Sequence, residues 1–193
     1  MATVAGIDPG ASGALCVYNS DTGIVAMHDM PTWMQQIGKK KRKRVDPVAL
    51  DDLFKLFAML GVELVVIEDV MGRGNEIGGA AFSYGIGVLD TVAMYSGIPV
   101  EKVTPQVWKK MLNVKGKSRA DDSAIIQKAN ALFPDNRDMF KGVRGGNKVD
   151  RAEAAMMALY GVRHILHNVG SGATYSEVQR AYSDRKLGIT GGV

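Results

Sequence analysis

The chain has 193 residues, 46% hydrophobic and 23% charged, a composition that supports one sizeable globular core. It excludes a bilayer-spanning helix, because no apolar run approaches the roughly 18 residues a span needs, and a disulfide framework, because Cys16 is the single cysteine. The net charge of +4 is concentrated in six consecutive positive residues, Lys39 to Arg44; elsewhere 18 basic residues face 20 acidic ones.

Residues 2–8, ATVAGID, predict a buried strand stopped by Pro9-Gly10. GALCVYN predicts a second, with Ala14, Cys16 and Tyr18 alternating against Leu15 and Val17; IVAMHDM predicts a third after the turn signal Asp21–Gly23. The basic block comes next and reads as a loop with Trp33 at its start. A run of like charge attracts a polyanion, most often nucleic acid, and can also be an import address or a plain solvated loop. Then the period changes. Asp46 predicts a helix N-cap and Pro47 the first helical position; Val48, Leu53, Leu56, Phe57 and Leu60 form the expected apolar stripe, and Gly61 the stop.

VELVVIEDV predicts a fourth strand buried on both faces. After the glycine-rich stretch MGRGNEIGG a helix is expected over roughly residues 80–96, and IPVEKV makes a fifth strand. Thr104 and Pro105 open a short helix, Ser118 with Asp121 caps another that Pro134 ends, and VDRAEAAMMALYGVRHIL predicts a strong last helix. The tail from Asn168 mixes glycine, serine and charge and is expected to be loosely docked or partly disordered. These elements define an α/β fold with a mixed sheet: one domain over residues 1–167 and a tail over 168–193. The N-terminus lacks the basic start and apolar stretch of a secretory signal. With Cys16 expected as a buried structural thiol, a reducing location is expected, in the cytoplasm or a host-cell cytoplasm.

Asp8 ends the first strand and Glu68 the fourth. If these strands are parallel neighbours, both carboxylates stand at one sheet edge, where like charges raise each other's pKa unless a cation joins them. Asp150 and Glu153, three apart, share one face of the last helix, whose Ala152, Ala154 and Ala155 permit close packing on the sheet. Each acid alone has a plainer reading: Asp8 as a turn stabiliser, Glu68 as a solvated strand end, Asp150 and Glu153 as first-turn helix acids. Four converging carboxylates, without a histidine pair or a cysteine cluster, point to Mg²⁺ or Mn²⁺.

The stretches GIDPGASG, VVIEDV and DRAEAAMMA resemble the three acidic motifs of RuvC-type Holliday junction resolvases, and VTPQVWKKML with the lysines after it is similar to the versions found in phages. The resemblance spans roughly residues 3–166. It implies an RNase H-like fold, a five-stranded mixed sheet of three antiparallel then two parallel strands flanked by helices. It implies a homodimeric, metal-dependent endonuclease making paired symmetric cuts in four-way DNA junctions. The family's metal-binding carboxylates fall on Asp8, Glu68, Asp150 and Glu153, the last an aspartate in bacterial enzymes.

In the two-metal scheme Asp8 would bridge two ions, Glu68 would hold one, and Asp150 with Glu153 the other. Gly10 and Gly13 would leave room for a DNA backbone. Lys39, Lys40, Lys41, Arg42, Lys43, Arg44, Arg73, Lys115, Lys117 and Arg144 are the expected DNA contacts. The loop after the fourth strand lacks the base-stacking phenylalanine of bacterial relatives; Phe82 and Tyr84 stand near that place, with core packing as their expected role. An RNase H-like nuclease of broader branched-DNA or RNA specificity shares all of these features. An actin-like ATPase, which shares the opening motif, needs a second phosphate-loop subdomain that this length does not offer.

Overall fold

A computed structural model describes residues 1–70, 79–114 and 122–170, apart from the side chains of Ile37 and of residues 165–170. Its main sheet contains β1 (Thr3–Asp8), β2 (Ala14–Asn19), β3 (Gly23–Asp29), β6 (Leu64–Glu68) and β7 (Val100–Val103), in the order β3-β2-β1-β6-β7. The first three strands form the expected antiparallel meander, and β1–β6 and β6–β7 are parallel. A separate hairpin, β4 (Thr32–Ile37) with β5 (Lys40–Val45), lies between β3 and the first helix. The helices are α1 (Pro47–Met59), α2 (Gly79–Tyr95), α3 (Pro105–Met111), α4 (Asp122–Leu132) and α5 (Val149–Gly170), with a 3-10 helix over Pro134–Phe140.

Both sheet faces are covered, which is why Val4–Ile7 of β1 and Leu64–Ile67 of β6 carry no polar side chain. Val4, Ala14, Cys16 and Val66 pack beneath α5, together with Trp108 of α3 and Ile125, Ile126 and Ala129 of α4. Ala5, Ile7, Leu15, Val17, Val65 and Ile67 pack on the other side against α1 and α2. Cys16 is fully buried, and burial pushes its thiol pKa up, so it is a packing group and not a nucleophile.

The Asp46 side chain accepts from the backbone N–H groups of Val48 (3.0 Å) and Ala49 (3.2 Å), the expected N-cap of α1. At the other end Gly61, at φ +69°, closes a Schellman turn in which Val62 N–H donates to Phe57 C=O at 3.0 Å. The buried stripe differs from the expected one: Leu50, Phe54 and Phe57 face the core, while Val48 is 70% exposed. Val48 occupies the first turn beside Pro47, on the side where no other element packs closely enough to bury it. Thr104 sits at the N-cap of α3 as expected, but its hydroxyl makes no cap bond.

The largest departure is the basic block, expected as a loop and found as strand β5. Ile37 pairs with Lys40 across a two-residue turn, with Gly38 at φ +59° in the first central position, the type II′ arrangement. The expected tail boundary at 167 falls within α5, whose backbone runs to Gly170. The tail over residues 171–193, the Ser118–Asp121 capping box and the loop over 71–78 lie outside the described residues.

Candidate active site

The carboxylates meet through strand register. Ile7 pairs with Ile67 in the parallel β1–β6 ladder, so the next residues, Asp8 and Glu68, end adjacent strands at one level. Adjacent strands lie about 4.8 Å apart. Beyond Asp8 the chain turns sharply: Gly10 takes φ +116°, and Gly13 N–H donates to Gly10 C=O at 3.1 Å. A Cβ on Gly13 would run into the Asp8 carbonyl oxygen, and one on Gly10 would meet Phe82 at 3.4 Å. Both glycines are buried, so they serve the turn itself and do not form the expected open approach for DNA.

Asp150 stands in the first turn of α5 and Glu153 three residues on, on the same face; the helix lies across β1, β2 and β6. Gly6 sets how closely: a Cβ there would collide with the Ala154 carbonyl oxygen and the Ala158 nitrogen. Ala152, Ala154 and Ala155 are fully buried in the same contact, as their size suggested. The result is an acidic cluster. Asp8 is 9% exposed, and its pKa lies well above the usual carboxylate range. Burial is the main cause, followed by the charges of Glu153, Asp150 and Glu68, and by a hydrogen bond with the Asp150 side chain.

Two neighbours from α3 belong to the same cluster. Trp108, fully buried, donates its indole N–H to Glu68 Oε1 at 3.0 Å. Lys109 Nζ lies 2.9 Å from Glu153 Oε1 and 5.0 Å from the Trp108 ring centroid. Neither was anticipated for this role. The available signal was modest: a buried tryptophan needs an acceptor for its N–H, and the strand ends were the nearest source of one.

With Glu153 drawn to Lys109 and Glu68 to Trp108, the described residues contain no group of three or more His, Cys, Asp or Glu side chains arranged to hold a metal ion. The chemistry of the donors nonetheless fits a hard divalent cation. All four are carboxylates, and burial first, then the neighbouring acidic charges, raise the pKa of Asp8, a penalty that a bound cation would relieve. Asp8, Glu68, Asp150 and Glu153 are the residues that could hold such an ion.

A second, opposite pairing fixes the start of α5. Asp29, at the end of β3, accepts from Arg151 Nε at 2.6 Å and Lys148 Nζ at 3.3 Å. Arg151 Nη1 also donates to the carbonyls of Met139 (3.1 Å) and Lys141 (3.3 Å). The Arg151 hydrogen bond, with Lys148 adding to it, holds the Asp29 carboxyl below its ordinary pKa. Arg151→Gln is expected to cost about 1–2 kcal/mol at pH 7, given the partial exposure of both partners. An acid with a depressed folded pKa stabilises above its unfolded pKa near 4, and that contribution is lost as pH falls through the folded value. Urea titrations at pH 7 and pH 2.5 should therefore show the gap between variant and parent narrowing in acid.

Of the expected DNA contacts, Lys39 to Lys43 are exposed on the hairpin, and Arg144 is exposed on the turn closed by the Lys141–Asn147 bridge, just ahead of α5. Arg44 is engaged: its guanidinium stacks 5.3 Å from the Tyr84 ring centroid, and its Nε donates to Gln35 Oε1 at 3.0 Å. Arg73, Lys115 and Lys117 lie outside the described residues. Phe82 covers Gly10 beside the acidic turn and Tyr84 is 42% exposed under Arg44; neither joins the core clusters expected to hold them.

No family model and no curated protein sequence matches the chain. Solved structures do. RuvC of Thermus thermophilus superposes with a TM-score of 0.50 and 15% identity, over 84% of this chain and 96% of that one. T. thermophilus RuvC in complex with Holliday junction substrate gives 0.49 and 15%, over 84% and 93%. The yeast mitochondrial Holliday junction resolvase Ydc2 gives 0.46 and 16%, over 84% and 78%. The class is thereby defined at the level of fold: a five-stranded mixed sheet flanked by helices, the RNase H-like architecture. The likeness to T. thermophilus RuvC is one of fold.

Proposed function

We propose that the chain is a Holliday junction resolvase, a divalent-metal-dependent endonuclease that makes paired, symmetric phosphodiester cuts in four-way DNA junctions. The observation that carries this reading is the buried Asp8, which feels Glu153, Asp150 and Glu68 at one sheet edge of a RuvC-like fold. The resemblance of the three acidic stretches supports it. When bound, a pair of Mg²⁺ or Mn²⁺ ions supplies an activated water and charge neutralisation for in-line hydrolysis. Asp8, Glu68, Asp150 and Glu153 would hold that pair.

The chain's own groups prepare the site. Burial of Asp8 limits the screening of its charge by water, which favours a bound cation there. The Trp108 indole N–H holds Glu68 Oε1 and so orients that carboxylate at the strand end. Lys109 neutralises Glu153 in the cation-free protein and stands beside the cluster as a positive group able to meet a phosphate. Paired cuts require two such sites, hence a homodimer. The nuclease domain is taken as residues 1–167, and a reducing intracellular compartment suits the buried, unpaired Cys16. Among the described residues no helix is long and apolar enough to cross a membrane.

A synthetic four-way junction, a flap, a linear duplex and an RNA duplex, each incubated with Mg²⁺, Mn²⁺ or EDTA, test the reading. Symmetric paired nicks in the junction alone, lost in EDTA, are expected. Equal cutting of flaps or RNA would make the protein a broader RNase H-like nuclease, and no metal-dependent cutting of any substrate would remove the reading.

A further inference from the structure

The β4–β5 hairpin is not part of the five-stranded sheet, and its charge has no internal use. Neither strand carries an acidic residue, and among the described residues none of Lys39 to Lys43 forms an ion pair. The ladder register places Lys40 and Arg42 on one face with Gln35 and Trp33, and Lys41 and Lys43 on the other with Gln36 and Met34. Lys39 is in the turn. The ribbon is therefore positive on both faces and at its tip.

Its root is fixed. Val45 is buried in the core, Arg44 is clasped between Gln35 and Tyr84, and Asp46 N–H donates to Pro31 C=O at 2.9 Å. The root also belongs to the acidic edge of the sheet. Asp8 pairs with Ala14, and Ala14 pairs with Asp29, the last residue of β3 before the hairpin. Two strand spacings, roughly 10 Å, separate Asp29 from Asp8. Each six-residue strand of the ribbon is about 20 Å long.

From these features we infer that the β4–β5 hairpin is a groove-entering ribbon that grips a double-stranded DNA arm next to the acidic site. A ribbon charged on one face could follow a single strand. One charged on both faces meets phosphates on both sides only between two backbones, and the major groove, about 12 Å wide, admits a two-stranded ribbon. Single-strand tracks use successive aromatic side chains for stacking, and here the one aromatic, Trp33, sits at the root. Lysine and arginine on phosphates position without reading sequence, so the grip is sequence-independent. The inference deepens the nuclease reading by naming the DNA form held beside that site, and it rests on that reading for the acidic edge alone.

Anisotropy measurements in Ca²⁺-containing or EDTA buffer, where nothing is cut, test it. The probes are a junction with 20-base-pair arms, the same junction with 6-base-pair arms, a linear duplex and a single strand. The variant replaces Lys39, Lys40, Lys41, Arg42 and Lys43 with glutamine and keeps Arg44 and Gly38, with circular dichroism as the folding control. Loss of about three phosphate contacts flattens the slope of log affinity on log salt by about 2.7 on long-armed junction and duplex, an effect of about 40-fold between 50 and 200 mM salt. The short-armed junction and the single strand should change little. An unchanged slope on duplex, or an equal change on single strand, overturns the ribbon. Because no readout involves cleavage, a protein that grips duplex but cuts nothing would refute the proposed function and leave the ribbon standing.

Discussion

Asp8→Asn is expected to lower junction cleavage by at least about 10³-fold, roughly 4 kcal/mol of transition-state stabilisation, while raising the thermal stability of the metal-free protein at neutral pH. The two effects have one cause. Asp8 is buried among three other carboxylates, which suits cation binding and penalises the cation-free fold. Asparagine keeps the shape and can still donate to Asp150, so little packing is lost. The pH dependence follows from linkage. The unfolded chain releases the Asp8 proton near pH 4, whereas the folded chain retains it to a higher pH. The folded state therefore binds more protons across that window, and stability falls as pH rises through it. Below pH 4 both states are protonated, and parent and variant should melt together. In EDTA the variant's advantage should open as pH rises above 4; added Mg²⁺ should raise the parent's melting temperature more than the variant's. A variant that is less stable at pH 7 than its parent, by the same margin as at pH 4, would show that this carboxylate is not the strained group.

Much of this site is legible in the chain because it is built from strand ends. A strand that stops at Pro9-Gly10 and one that stops after Glu68 declare their edges locally, and parallel pairing follows from the helix between them. The alternation of Ala14, Cys16 and Tyr18 against Leu15 and Val17 assigns the two faces of β2 correctly. Other parts depend on what lies opposite. Leu50 and Val48 both complete helical stripes, and only the packing of α1 on the sheet and α2 decides that Leu50 is buried. The basic ribbon has no apolar period because both of its faces are solvated; its signal was the Gly38-Lys39 turn inside an extended polar run. Lys109 and Trp108 join the acids because α3 packs beside α5, a contact between segments far apart in the chain.

Gly6 carries the second large effect. It lies in mid-strand with no unusual backbone angle to require glycine, and its neighbours in the ladder, Cys16 and Val66, have side chains. What excludes a methyl group is the α5 backbone. A Cβ at residue 6 would overlap the Ala154 carbonyl oxygen and Ala158 nitrogen, and lie 3.0 Å from Ala158 Cα. Backbone atoms inside a helix cannot rotate aside, so Gly6→Ala must lift the helix or bend the strand, at a cost of about 3 kcal/mol or more. That is a large share of a typical domain's 5–15 kcal/mol. Gly161→Ala, at the same helix–sheet contact, provides the comparison. Its Cβ would approach Val4 Cγ1 and Val66 Cγ2 at 2.7 Å, methyl groups that can shift, and alanine returns about 1 kcal/mol of helix propensity. Urea titration should rank Gly6→Ala far below Gly161→Ala, and equal losses would mean that α5 is not seated through Gly6. Cleavage should follow the same order at temperatures where both variants remain folded. Raising α5 carries Asp150 and Glu153 away from Asp8, so the glycine that seats the helix also sets the spacing of the acids.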